Sequence, residues 1–306
     1  MTSPRSVRWQ AAGSDTEGRH RLRIVAVLQA LTLVSLPGCG GTRTFSASTP
    51  SAEGAPTVDT KRRASLAGSQ RTEAERARDV HRHPRETLEF FGLREDMSVI
   101  EIAPGEGWYT AVLAPVLAER GTLSVTTADP NGPPEAESTK NAKALLARFM
   151  GAPNSFGRVR TIVVNWKEDA SLGPDGSADM VLTFRNAHNW LGGKTFDKVL
   201  ATIFRVLKPG GILGLTDHRA NPGGPTDANA TADTGYVPEA YVMRQVEAAG
   251  FKLAGRSEIN ANPKDTKDYP KGVWTLPPTY ALAGVDRAKY TAIGESDRMT
   301  LRFLKP

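Results

Sequence analysis

Val99-Ile100-Glu101-Ile102-Ala103-Pro104-Gly105-Glu106-Gly107-Trp108-Tyr109-Thr110 is the stretch on which the fold turns. An apolar run of strand type, interrupted by Glu101, enters a turn whose positions 103, 105 and 107 are small, and a helix-compatible run follows. Small residues let a backbone approach a ligand closely. The first turn of the helix beyond offers N–H groups without intrahelical partners. This is the strand-turn-helix logic of nucleotide-binding α/β folds.

Outward from this segment the chain alternates between two periodicities. Strands are expected over Ser98–Ala103, Thr122–Thr127, Arg160–Asn165, Ala178–Phe184, Gly211–Asp217, Phe251–Glu258 and Asp297–Leu304. Helices are expected over Tyr109–Arg120, Ala136–Met150, Phe196–Leu207 and Pro238–Ala249. Such alternation with short connections predicts a doubly wound α/β domain, a largely parallel sheet with helices on both faces. Pro209-Gly210-Gly211 stops a helix before the fifth strand. Before the first strand, Glu73–Phe91 reads as two short helices, or one kinked at Pro84. Asn260–Ser296 is 37 residues long, too long for a simple connector, and reads as a lid or substrate loop.

The turn at 103–107 suits one cofactor class better than another. A dinucleotide site needs a third small residue after the second glycine, but Trp108, Tyr109 and Thr110 follow Gly107. Glu101 would also repel a pyrophosphate. S-adenosylmethionine carries no phosphate, and its ammonium and sulfonium are favoured by a carboxylate and by aromatic faces.

The order of motifs resembles class I S-adenosylmethionine-dependent methyltransferases from about Arg78 to the C-terminus. The carrying segments are ADMVLTFRNAHNW (178–190), FRVLKPGGILGLTDHRA (204–220) and EAAGFKL (247–253). The stretch from Arg78 to Thr110 resembles a branch of small, often exported bacterial methyltransferases. The resemblance implies a seven-stranded Rossmann-like sheet, mostly parallel, with the last strand antiparallel beside the fifth. It also implies S-adenosylmethionine as cofactor and a small-molecule methyl acceptor. The cofactor-binding candidates are then Glu101, Ala103, Gly105, Gly107, Tyr109, Asp129 and Trp166. The acid that such proteins place at the end of the second strand is replaced by Thr127; Asp129, two residues on, either binds the ribose or only caps its turn. Trp166 either stacks on adenine or belongs to the core. The Asn/Asp-Pro-Pro-Tyr signature of amino-group methylation of bases is absent after the fourth strand.

Methyl transfer from a sulfonium needs positioning first, and a base only when the acceptor must lose a proton. His188, Asp217 and His218 follow strand ends, where open α/β sheets hold ligands, and are the catalytic candidates. The rival reading has both histidines bonded to loop backbone and Asp217 buried or paired with Arg219. Arg78, Asp79, Arg82 and His83 form either a helix over the cofactor pocket or a solvated charged face. No metal site is expected from five scattered histidines and a single cysteine.

The formal charge is +6, but residues 1–38 hold five arginines against two acids, leaving 34 basic against 31 acidic residues. No basic stripe remains to read nucleic acid. Arg19, Arg21 and Arg23 precede a 13-residue apolar run, Ile24–Leu36, followed by Pro37, Gly38 and Cys39. The run is short of the roughly 20 residues a membrane span needs. It reads as a secretory signal, and Leu36-Pro37-Gly38-Cys39 resembles the bacterial lipobox. The expected organisation is a lipoprotein signal peptide (1–38), a flexible tether (39–70) and a methyltransferase-like domain (71–306), anchored in the cell envelope through lipid on Cys39. A competing reading is a non-catalytic lipoprotein that uses the same pocket to bind another ligand or partner.

Overall fold

The computed structural model describes residues 57–306, apart from positions 169, 225, 228–230 and 232–233. The apolar run 24–36 and Cys39 lie outside the described residues. Among the described residues no helix is long and apolar enough to cross a membrane.

Seven strands form one sheet: β1 (Ser98–Ile102), β2 (Thr122–Thr127), β3 (Arg160–Val163), β4 (Ala178–Phe184), β5 (Leu207–His218), β6 (Lys252–Ser257) and β7 (Arg298–Leu304). Their order is β3-β2-β1-β4-β5-β7-β6. The first five are parallel, and β7 lies antiparallel between β5 and β6. The expected strands are all present, with ends moved by a few residues; β5 starts earlier, at Leu207, because the 207–211 turn continues the pairing.

The helices before the sheet are α1 (Val58–Ala67), α2 (Glu73–Arg76), α3 (Asp79–Arg82) and α4 (Pro84–Phe91). The crossovers are α5 (Thr110–Leu117), α6 (Glu137–Gly151), α7 (Pro153–Phe156), α8 (Ala187–Gly192), α9 (Phe196–Val206) and α10 (Glu239–Ala248), with α11 (Arg287–Ile293) before β7. Central strands alternate between two buried layers. In β1 and β4, Val99, Met180 and Leu182 pack with α4 and α5, whereas Ile100, Ile102 and Val181 pack with α9 and α10. Burial on both faces is the mark of a parallel sheet covered twice.

Two expectations are corrected. The tether expected over 39–70 contains α1, capped by Thr57, whose hydroxyl accepts the Thr60 N–H at 3.2 Å. The helix docks on α5, which lies more than forty positions later in the chain. Pro115, inside α5, has no N–H to give the Ala111 carbonyl. The Gln70 amide donates to that carbonyl instead at 2.9 Å, and Ser65 Oγ donates to Val112 O at 2.6 Å. The solvated-face reading of residues 78–83 also fails. Arg82 is buried at 4% exposure, and Arg78 Nε reaches Glu295 Oε1 at 2.5 Å, because β7 brings its preceding loop to this end of the sheet. Pro84 divides α3 from α4, as its fixed φ and missing N–H require, with His83 between them at φ 40°.

Buried polar residues gather at the carboxyl ends of the parallel strands: Glu101, Thr126, Thr127, Thr183, Thr216, Asp217 and His218. Polar groups placed in a core at one edge of the sheet mark where chemistry is done.

Candidate active site

A cavity of about 440 Å³ opens at that edge. Its floor is the turn after β1, Ala103, Pro104 and Gly105. Thr126, Thr127 and Ala128 form one side, Trp166 stands beyond them, and Arg185, Asn186 and Asn189 close the other end. Two lining residues have strained backbone: Ala103 has φ 46° and Arg185 φ 64°. Both are pinned. Ala103 N–H donates to Thr126 Oγ1 at 2.8 Å, and Asn186 Nδ2 donates to Ile102 O at 2.9 Å and to Thr183 Oγ1 at 3.1 Å.

The expected cofactor residues divide into a wall and a support. Ala103, Gly105 and Trp166 line the cavity. Gly105 sits at φ 60°, and a Cβ placed on it meets no atom within 4 Å, so the turn leaves open space there. Gly107, at φ 82°, faces the protein: a Cβ would come within 3.2 Å of Leu145, so this glycine lets α6 close on the loop. Glu101 lies behind the turn at 1% exposure and accepts the Thr110 hydroxyl at 2.6 Å. Burial raises its pKa to about 7 against the opposing hydrogen bond. Tyr109 is also behind the wall, stacked on Phe184 at 3.5 Å, with its hydroxyl donated to Arg82 O at 3.2 Å. Asp129 is exposed and accepts the Asn131 N–H at 2.8 Å, so it caps its turn. At the end of β2 the cavity meets Thr127, and among the described residues no carboxylate lines it.

The three catalytic candidates come together. His188 Nδ1 lies 2.9 Å from Asp217 Oδ1, and the His188 and His218 rings are 5.2 Å apart. Asp217 also accepts the backbone N–H groups of His188 and His218, each at 2.8 Å. Asp217, an acceptor for all three groups, takes the Nδ1–H of His188 and leaves Nε2 with its lone pair open. His218 is held otherwise. Its Nδ1 is 2.5 Å from Ser296 Oγ, and burial, followed by the neighbouring His188 and arginines, keeps its pKa well below the ordinary value. Asp217 does not pair with Arg219, which binds Asp297, Glu258 and Glu239 instead. The ligand-type atoms of His188, Asp217 and His218 lie within 4.8 Å of one another, a spacing a metal could use. The hydrogen bonds that occupy Asp217 make the trio a network that orients His188.

The loop expected as a lid lies over this edge. Trp274, in a single 3₁₀ turn (Gly272–Thr275), faces the His188 ring edge-on at 6.4 Å, and Ser296 reaches His218. Arg185, Ser138 and Asn141 line the cavity without having been candidates. Arg185 lies in the segment after β4 that carried the resemblance; Ser138 and Asn141 sit on α6, where sequence shows only an amphipathic helix.

Residues 100–215 match the family described as a methyltransferase domain. No curated protein matches the chain at a significant level. Among solved structures, an S-adenosylmethionine-dependent methyltransferase from Aquifex aeolicus is similar at 17% identity, over 75% of this chain and 93% of that one, with a TM-score of 0.50. The 4+2 cyclase SpnF is similar at 18% identity, over 82% of this chain and 98% of that one, with a TM-score of 0.54. The domain match and the strand order identify the fold as that of the class I S-adenosylmethionine-dependent methyltransferases.

Proposed function

We propose that the chain is an S-adenosylmethionine-dependent methyltransferase acting on a small molecule. The observation that carries this is the joining of two features at one sheet edge: a cavity floored by Ala103–Gly105, and the buried His188–Asp217 pair, which does not line that cavity but whose His188 belongs to its Arg185–Asn189 wall in the chain. The cavity fits the cofactor in its chemistry. Open space over Gly105 admits the amino-acid portion, Trp166 offers a face for a flat base, and Thr127, Ser138 and Asn141 offer neutral partners for ribose hydroxyls. When bound, the cofactor supplies an electrophilic methyl group on a sulfonium.

The chain's own residues do the rest. The pinned turn and the Asn186 hydrogen bonds hold donor and acceptor positions fixed, and such positioning supplies ~7–11 kcal/mol of rate enhancement in favourable cases. His188, oriented by Asp217, takes a proton from the acceptor at Nε2. Trp274 and the loop around it limit water at the histidine. Turnover assayed with a labelled methyl donor against a small-molecule library tests the reading. Label transferred by the parent chain supports it. Absence of both transfer and cofactor binding favours the non-catalytic ligand-binding reading, and SpnF, named a cyclase, has a similar fold.

Anchoring is proposed from sequence: the basic flank, the short apolar run and Cys39 support a lipid-held envelope protein. Cys39→Ser is expected to move the protein from membrane to soluble fractions. Full retention of the variant in membranes would refute the lipid anchor.

A further inference from the structure

Three arginines meet one carboxylate beside the active site, and a fourth stands near them. Glu295, 3% exposed, accepts Arg78 Nε at 2.5 Å, Arg82 Nε at 3.0 Å and Arg298 Nη2. Arg82 and Arg298 are themselves 4% and 3% exposed. Arg185 adds a fourth guanidinium with no ion pair among the described residues, and it alone of the four lines the cavity. Three donors in the cluster are buried without any partner: Arg78 Nη2, Arg82 Nη2 and Arg298 Nε. The group lies at the β4 and β7 end of the site, away from Thr127 and Trp166. In the β5–β7 register Arg298 stands opposite His218.

Crowded like charge with idle N–H donors, shut away from water, is costly to fold unless something else supplies negative charge. Arg82 shares its charge with the Trp108 ring at 4.6 Å, but a ring face does not satisfy an N–H fork. Other carboxylates nearby are already engaged: Asp217 by His188 and two backbone N–H groups, and Asp79 by Arg71. Burial first, then the charge of Arg298, holds Arg185 down at about 10. Several guanidiniums converging on one place form the side-chain set that grips carboxylate or phosphate oxygens in pairs.

We propose that Arg78, Arg82, Arg185 and Arg298 form the binding site for an anionic group, a carboxylate or a phosphate, carried by the methyl acceptor. This rests on the methyltransferase reading above. The site selects negatively charged acceptors and anchors them with Arg185 between cofactor cavity and anion, and with His188 close by to receive the proton.

Inorganic phosphate and, separately, acetate are titrated calorimetrically into the full-length chain, with and without saturating S-adenosylmethionine. Thermal unfolding is followed in parallel for the parent, Arg78→Gln and Arg185→Gln. Saturable phosphate binding that persists with the cofactor present is expected, weakened about 10–100-fold in either variant. Phosphate should raise the parent's unfolding temperature more than the variants'. Without phosphate, Arg78→Gln should unfold no lower than the parent, because it relieves repulsion while Arg82 and Arg298 still hold Glu295. A lower unfolding temperature with unchanged phosphate affinity would show a structural ion pair and overturn the proposal. Binding of neither probe would also overturn it. Phosphate displaced by the cofactor would assign the arginines to the cofactor's own carboxylate, again overturning it. Arginine-dependent phosphate binding in a chain that binds no S-adenosylmethionine would keep the anion site but remove its assignment to a methyl acceptor.

Discussion

His188 and His218 share one carboxylate neighbour yet have different chemistry open to them. Asp217 takes the Nδ1 side of His188 and only the backbone N–H of His218. His218 is held by Ser296 with its pKa pressed down by burial, whereas Asp217 orients the His188 ring, so the proposed mechanism assigns the proton to His188 rather than to His218, equally eligible in the sequence. His188→Asn is expected to lower turnover ~10²–10⁴-fold with little change in cofactor affinity. His218→Asn, which loses the Ser296 contact, should reduce stability while turnover per folded molecule stays within a few-fold. Steady-state rates normalised to folded protein decide between them; the reverse pattern would return the role to His218. Glu101 makes a second prediction at this scale. Its folded pKa, about 7, is raised above the ordinary 4.5 by burial. The folded state then holds a proton that the unfolded chain releases, so this contribution is full below about pH 4.5 and is lost as pH rises through 7. The loss is roughly 3 kcal/mol at the outside. Unfolding temperatures from about pH 5 to about pH 8 should fall more steeply for the parent than for Glu101→Gln. Parallel curves would mean that the carboxyl is ionised in the fold.

At the scale of elements, periodicity and turn chemistry made the sheet legible. The strands of 98–102, 122–127 and 178–184 combine apolar runs with glycine or proline punctuation, and their positions follow from that alone. Helix α1 was not legible, because its attachment is polar and non-local. Its residues look like tether composition, and what holds it lies further along the chain: the Ala111 carbonyl left free by Pro115, the Val112 carbonyl, Glu95 and Glu119 for Lys61, and the core against which Val58 and Leu66 pack. Gln70→Leu is therefore expected to strand the Ala111 carbonyl and destabilise the fold by about 1–3 kcal/mol. Chemical denaturation of the parent and the variant measures this. An unchanged midpoint would mean that water or Ser65, 3.5 Å away, satisfies the carbonyl instead. The candidate site divides in the same manner. Gly105 and Ala103 were legible because the turn is local. The arginine cluster was not, since Arg78 and Arg82 meet a carboxylate more than 200 positions away.

For the whole molecule, the antiparallel insertion of β7 is the feature that makes a site out of a fold. It carries Glu295, Ser296 and Arg298 to the carboxyl end of β5, where they meet the histidines and the helix that precedes the sheet. The N-terminal helices, the central turn and the C-terminal loop therefore converge on one sheet edge, and the cavity beside that turn, walled by α6 and the ends of β2 and β4, is the claim on which everything else depends. Calorimetric titration of S-adenosylmethionine into the parent chain and into Gly105→Val tests that claim most directly. Gly105 is in the left-handed region at φ 60°, so a branched side chain is strained there and projects where no protein atom lies within 4 Å. The account predicts saturable binding near one equivalent in the parent, lost in a variant whose circular dichroism is unchanged. No binding by the folded parent, or equal binding by the folded variant, would contradict it.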